Sequence, residues 1–288
     1  MGKMVFKNIC YLFNTARGYS VLFIIMLLIT LITPAIWLYS HLFDKQRSLL
    51  LLLIRFFIRL FFYLNGIFLK KAIDLKGLKP PQKNEKRIYI INHSSLLDGL
   101  LLFLLPGHNK FMAKKFWARI PIFGLGVTEA GNISVSDDSD GNALDMYMQA
   151  SEILEQNYPL IIFPEGTRNR EGGIGRFQNS AFMLALEKKT DIVIIVTDAW
   201  NTMRPSSILI RETDLRMEMV DIIYYNQFKH MDYKELSNCC KKKMIQGLLQ
   251  IRDRKRRENK NYYRHQAEFV GIDNTMRAEM QKLCLNDG

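Results

Sequence analysis

The chain has 288 residues, enough for one large domain with a sizeable core, and it is 48% hydrophobic yet 24% charged, so membrane-associated and soluble stretches coexist. Its formal net charge of +12 suits an anionic partner: nucleic acid, an acidic lipid surface or a phosphorylated substrate. Cys10, Cys239, Cys240 and Cys284 form no metal-ligand spacing and a poor disulfide framework, which excludes a zinc- or disulfide-stapled protein and fits a reduced, cytosol-facing one.

Residues 1–18 are basic and mixed. Tyr19 to Phe43 then runs without Asp, Glu, Lys or Arg, long enough to cross roughly 30 Å of hydrocarbon and too long for a cleaved signal peptide. Pro34 allows a kink or a re-entrant path. Basic residues flank the run on both sides, so the positive-inside rule leaves its orientation open. Leu50 to Lys70 is apolar but carries Arg55 and Arg59 one turn apart. It reads as a segment in the headgroup plane, as a second anchor, or as a core helix with snorkelling arginines. Lys76 to Lys86, with its Pro-Pro pair, reads as a linker.

Ile88-Tyr89-Ile90-Ile91 reads as a buried strand and stops at Asn92-His93. Ser94-Ser95 then opens an apolar run that reads as a helix. His93 is thereby set in a strand-to-helix turn, with Asp98 in the first helical turn, where its carboxylate can fold back onto the imidazole. That is what a general base needs: a histidine able to take a proton and an acid fixing its tautomer. Ser95 to Asp98 also fits a capping box with Asp in place of Glu, so the local pattern serves either reading.

Further along, residues 110–113 read as a short strand, 114–119 as a basic helix and 121–124 as a turn. Residues 131–136 alternate like a strand, 137–140 form an acidic loop, and 142–156 an amphipathic helix. Buried strands follow at 158–163 and 191–197, with a helix ending at 184–189 between them, and an alternating strand at 215–225. This order predicts an α/β fold with a mainly parallel sheet flanked by helices. Residues 231–251 read as helix. The basic run Arg252 to Arg257 reads as a solvated face whose nearest partner is an anionic membrane surface. No pattern of an RNA-binding module accompanies it, so nucleic acid is not expected. The expected division is a membrane anchor over 1–72 (helices 19–43 and 50–70), a catalytic domain over 73–250 and a basic helical tail over 251–288.

The strand at 158–163 runs directly into Phe163-Pro164-Glu165-Gly166-Thr167-Arg168-Asn169-Arg170. Loops leaving the C-terminal ends of parallel strands are where α/β domains bind ligands. Gly166 lets backbone amides approach closely, and Thr167, Arg168 and Arg170 offer donors to a phosphate or carboxylate.

Over about Ile73 to Gln250 these residues resemble the glycerolipid acyltransferases, the PlsC-like 1-acyl-glycerol-3-phosphate acyltransferase group. Asn92 to Asp98 looks like that family's histidine–four residues–aspartate motif, and Phe163 to Arg168 looks like its third block. Lys114 and Pro121-Ile122-Phe123-Gly124 resemble the stretch leading to its second block. The resemblance implies transfer of a fatty acyl group from acyl-CoA or acyl-ACP to a lysolipid hydroxyl, without metal, cofactor or covalent acyl-enzyme. His93 would take the acceptor's proton and Asp98 would orient it, while Glu165, Gly166, Thr167, Arg168 and Lys114 would bind the acceptor head group. It also implies a membrane protein whose catalytic domain faces the cytoplasm, on the inner membrane if bacterial.

Two positions depart from the family pattern. Asp137 stands where a phosphate-holding arginine is usual, which should weaken phosphate binding by roughly a kcal/mol or more. Ile194-Ile195-Val196 lacks the usual proline. The acceptor is therefore 1-acyl-glycerol-3-phosphate or a non-phosphate lysolipid such as a lyso-aminolipid. A membrane-tethered thioesterase or serine hydrolase using Ser94 or Ser95 is the rival enzyme, although no Gly-x-Ser-x-Gly elbow occurs. A non-catalytic scaffold with a merely capped turn is the other rival.

Overall fold

The computed structural model describes residues 2–44, 48–67, 72–79, 86–114, 133–135, 143–211, 214–258 and 267–285. Seven strands form one sheet: β1 (Ile73–Asp74), β2 (Arg87–Ile91), β3 (Lys110–Lys114), β4 (Ile133–Val135), β5 (Leu160–Ile162), β6 (Asp191–Asp198) and β7 (Arg216–Ile223). Their spatial order is β1-β7-β6-β2-β5-β3-β4. Every neighbouring pair is parallel except β6 with β7, so the sheet is mainly parallel, as expected.

The central strands β2, β5 and β6 are covered on both faces, which is why they read as unbroken apolar runs instead of alternating ones. Alternate side chains then feed two cores. Ile88, Ile90, Leu160, Ile162, Ile192, Ile194 and Val196 pack under α4 (Ala143–Glu155), α5 (Ser180–Glu187) and α7 (Tyr233–Glu258). Tyr89, Ile91, Ile161, Val193 and Ile195 face the other layer, made by α1 (Gly2–Leu42), α2 (Ser48–Leu64) and α3 (Asp98–Leu102). A four-residue α6 (Tyr225–Phe228) leads into α7, and α8 (Ala267–Leu285) packs on α7.

Several expectations need correcting. The first helix starts well before Tyr19 and runs unbroken through Pro34; its most apolar, span-length stretch is Ile9–Ile32. Arg17 lies inside that stretch because it is not left bare: its guanidinium donates to the Asn65 carbonyl at 2.7 Å and to Asn14 Oδ1 at 3.4 Å. Gly18 packs against Ile210, where a Cβ would come within 2.3 Å of Cδ1, so glycine permits the close approach. The second helix is one-sided. Phe57, Ile58, Phe61 and Phe62 are buried in the core while Leu52, Phe56 and Tyr63 stay exposed. Arg55 does not reach for headgroups; it donates to the carbonyls of Phe103, Leu105 and Gly107. It thereby satisfies acceptors left open where α3 ends.

The helix after His93 is also shorter than its apolar run suggests, because after Leu102 the chain turns toward Pro106-Gly107. Residues beyond 250 are no separate tail, since α7 continues to Glu258 and α8 buries Phe269 and Met276. Nor is the basic run a solvated face. Arg252 and Lys255 are fully buried against Asp198 and Asp273, and Arg254 pairs with Glu218. The expected elements at 115–132 and 136–142, with Pro121 to Gly124 and Asp137, lie outside the described residues, as does most of the linker at 80–85.

Candidate active site

Parallel pairing puts the C-terminal ends of β2, β5 and β6 side by side, and the loops leaving them build the site. β2 delivers Asn92 and His93. The Asn92 side chain continues the ladder past the end of β2: its Nδ2 donates to the Thr197 carbonyl at 2.9 Å, and its Oδ1 accepts from the Thr197 amide at 2.7 Å.

His93 Nδ1 lies 3.0 Å from Asp98 Oδ2. Asp98 is fully buried, and the same oxygen accepts from the amides of Ser94 and Ser95, each at 2.7 Å. One carboxylate thus closes the turn and holds the imidazole. Nδ1–H donating to Asp98 leaves the lone pair of the neutral ring on Nε2. The side chain is 21% exposed, and among the described residues Nε2 has no partner. Phe163 stacks on the ring, with centroids 4.0 Å apart and planes 13° from parallel. The imidazole is therefore fixed in tautomer, tilt and direction.

The loop after β5 is tied to this turn at two points. The Asn169 amide donates to the His93 carbonyl at 2.7 Å. Glu165 reaches back so that Oε1 accepts from the His93 amide at 2.8 Å and Oε2 from the Gly175 amide at 2.6 Å. An alanine at Gly175 would place Cβ 2.6 Å from Glu165 Oε2, so this clamp also depends on a missing side chain. Burial pushes the Glu165 carboxyl up to about 7, against the two amide bonds that lower it. Glu165 is thus buried, with its carboxyl group bound to two backbone amides that shape the loop.

Gly166 is exposed, with φ of +70° and its amide bonded to the Phe163 carbonyl at 3.0 Å. That left-handed turn is where glycine is needed. Thr167 is exposed and Arg168 half-buried, and among the described residues neither side chain has a polar partner. Arg170 and Arg176 are exposed on the same loop. The loop therefore presents donors to the mouth while its carboxylate faces inward. Lys114 ends β3 by its backbone, and its side chain lies outside the described positions.

The serine readings lose their footing. Ser95 is fully buried, with Oγ donating to the Met203 carbonyl at 2.8 Å and accepting from the Leu97 amide at 3.2 Å. Ser94 is only 2% exposed. Neither hydroxyl is presented to a substrate beside Nε2. The sequence placed Phe163 and Asn169 in the loop without showing their contacts with His93, and it gave no sign of Thr197. Asn169 had a faint signal as an Asx turn, its Oδ1 accepting from the amides of Glu171 and Gly172.

Residues 72–197 match the model of the family described as Acyltransferase. The solved structure of the 1-acyl-sn-glycerophosphate acyltransferase PlsC from Thermotoga maritima shares the fold. It has a TM-score of 0.70 at 19% identity, and the match covers 85% of this chain and 98% of that one. Among curated relatives, a 1-acyl-sn-glycerol-3-phosphate acyltransferase of Chlamydomonas reinhardtii is 29% identical, over 53% of this chain and 45% of its own length. The sheep 1-acyl-sn-glycerol-3-phosphate acyltransferase alpha is 32% identical, over 48% of this chain and 47% of its own length. The chain thus spans about half the length of these relatives.

Proposed function

We propose that the protein transfers a fatty acyl group from a thioester, acyl-CoA or acyl-ACP, to the hydroxyl of a lysolipid in the membrane. The observation that carries this reading is the His93–Asp98 pair, 3.0 Å apart, with Nε2 as the nitrogen open to a proton. The acceptor hydroxyl gives its proton to Nε2 as its oxygen forms the new bond to the thioester carbonyl carbon. The tetrahedral intermediate then expels the thiolate, which takes the proton back from His93. A thioester is already activated, so one positioned base and an oxyanion donor suffice. No metal or cofactor enters these steps.

The acceptor we assign first is 1-acyl-glycerol-3-phosphate, because Arg168, Arg170 and Arg176 lie on the loop beside the base and the Chlamydomonas and sheep relatives carry that acceptor in their names. The span-length apolar helix α1 supports membrane residence, with the catalytic domain on the cytoplasmic side where CoA and ACP thioesters occur. Asp137 keeps a non-phosphate lysolipid as the second acceptor.

Acyl-CoA and acyl-ACP, each carrying a labelled acyl group, offered with a panel of lysolipids would test the reading. Diacylated product from the phosphate acceptor is the expected result. Product only from non-phosphate lysolipids would move the assignment to the second acceptor. Free fatty acid alone would overturn acyl transfer in favour of a thioesterase.

A further inference from the structure

Neighbouring residues of a strand send their side chains to opposite faces of the sheet, so the last two residues of β6 leave it in opposite directions. Asp198 enters the α7 layer, where Arg252 Nε at 3.3 Å and Lys255 Nζ at 2.9 Å hold it. Thr197 enters the α3 layer, where its Oγ1 donates to Asp98 Oδ1 at 3.2 Å. Oδ2 of Asp98 serves the imidazole and two backbone amides. Among the described residues, Oδ1 has one donor, the Thr197 hydroxyl. Thr197 is 1% exposed and Asp98 fully buried, so bulk solvent does not replace that donor.

We propose that Thr197 is a positioning residue for the His93–Asp98 pair, its hydroxyl locking the buried carboxylate so that Oδ2 faces the imidazole. The inference rests on the acyl-transfer reading of this site. The terminal torsion of an aspartate is broad and soft, so amides at one oxygen leave the carboxylate free to rock unless the other oxygen is held. Thr197 is itself well placed to hold it. Its backbone N–H and C=O are both bonded to the Asn92 side chain, and Asn92 precedes His93. Its β-branched side chain has few rotamers. Asn92, Thr197, Asp98 and His93 therefore close a ring in which the strand end sets the carboxylate and the carboxylate sets the base.

Two variants test this. Thr197→Val removes the hydroxyl and keeps the shape, and Thr197→Ser keeps the hydroxyl and removes a methyl. In the full chain, Thr197→Val should lower kcat roughly tenfold while leaving KM for donor and acceptor within about twofold. Thr197→Ser should keep at least about half of the wild-type kcat. Nitrogen-detected proton NMR should show the His93 Nδ1–H resonance broadened or lost in Thr197→Val and retained in Thr197→Ser. Wild-type kcat in Thr197→Val would overturn the proposal, and so would an equal loss in both variants, which would point to packing of the methyl. Should the wild type prove inactive on every acceptor, the functional reading falls, and the resonance alone decides the positioning role: an unchanged signal in Thr197→Val overturns it.

Discussion

Glu165 bears the largest electrostatic consequence among the single residues of the site. Its carboxyl sits at about 7 rather than 4.5 because burial disfavours the anion more than the His93 and Gly175 amides favour it. A raised folded value means that the folded state binds more protons than the unfolded one between about 4.5 and 7. The contribution to stability is therefore full below about 4.5 and is lost as pH rises through 7. Glu165→Gln removes the titration. Relative to wild type, the variant should gain roughly 2–3 kcal/mol between pH 5 and pH 8, at about 1.4 kcal/mol per unit. Chemical denaturation at the two pH values checks this, and parallel curves for both proteins would refute it. The same substitution puts an amide where one of two backbone donors now binds an oxygen, so it should also loosen the tie between the β5 loop and His93.

At the scale of elements, α7 does more than cover the sheet. Its second half drives Arg252 and Lys255 inward to Asp198 at the end of β6, and Arg252 also donates to Asp273 Oδ1 at 2.7 Å and to the Gly172 carbonyl at 2.5 Å. Burial alone would push Asp198 up, but the two cations outweigh it and bring its carboxyl down to about 2. Removing one member of such a network strands the others. Arg252→Met should cost roughly 3–5 kcal/mol in equilibrium unfolding, whereas Arg257→Met, on the exposed end of the helix, should cost under about 0.5 kcal/mol. Equal small losses would show that the cluster is not a structural keystone. Elements of this kind were also where the sequence was hardest to read. The runs around β2, β5 and β6 were legible because strands buried on both faces must be apolar throughout. The basic run was not, because its partners, Asp198 and Asp273, are distant in the chain, and a local charge pattern looks the same whether it meets water or buried carboxylates. Arg55 misled for a similar reason: hydropathy does not distinguish a lipid surface from a protein one. The contact of His93 with Asp98 was legible because both residues sit in one turn, five positions apart. Thr197 was not, since near the end of an apolar strand it carried no mark of its contact with Asp98.

Across the whole molecule, the sheet separates two jobs. One layer, α4, α5, α7 and α8, stabilises the domain, and the other, α1 to α3, carries Asp98 and the apolar surface. Beyond its contacts with Ile210 and Asn65, α1 exposes Phe23 (70%), Leu27 (55%) and Leu31 (72%). An apolar stripe of that size is costly in water and points to lipid. The double substitution Leu27→Glu with Leu31→Glu should abolish flotation with anionic vesicles and leave thermal unfolding of the domain in detergent unchanged; undiminished flotation would place the membrane contact elsewhere. One rate tests the role of His93 most directly. With detergent-solubilised full-length protein, saturating acyl donor and the best lysolipid acceptor, His93→Ala should lower kcat at least roughly a hundredfold, with the melting temperature within a few degrees of wild type. Turnover at the wild-type rate in that variant would contradict the assignment of His93 as the base.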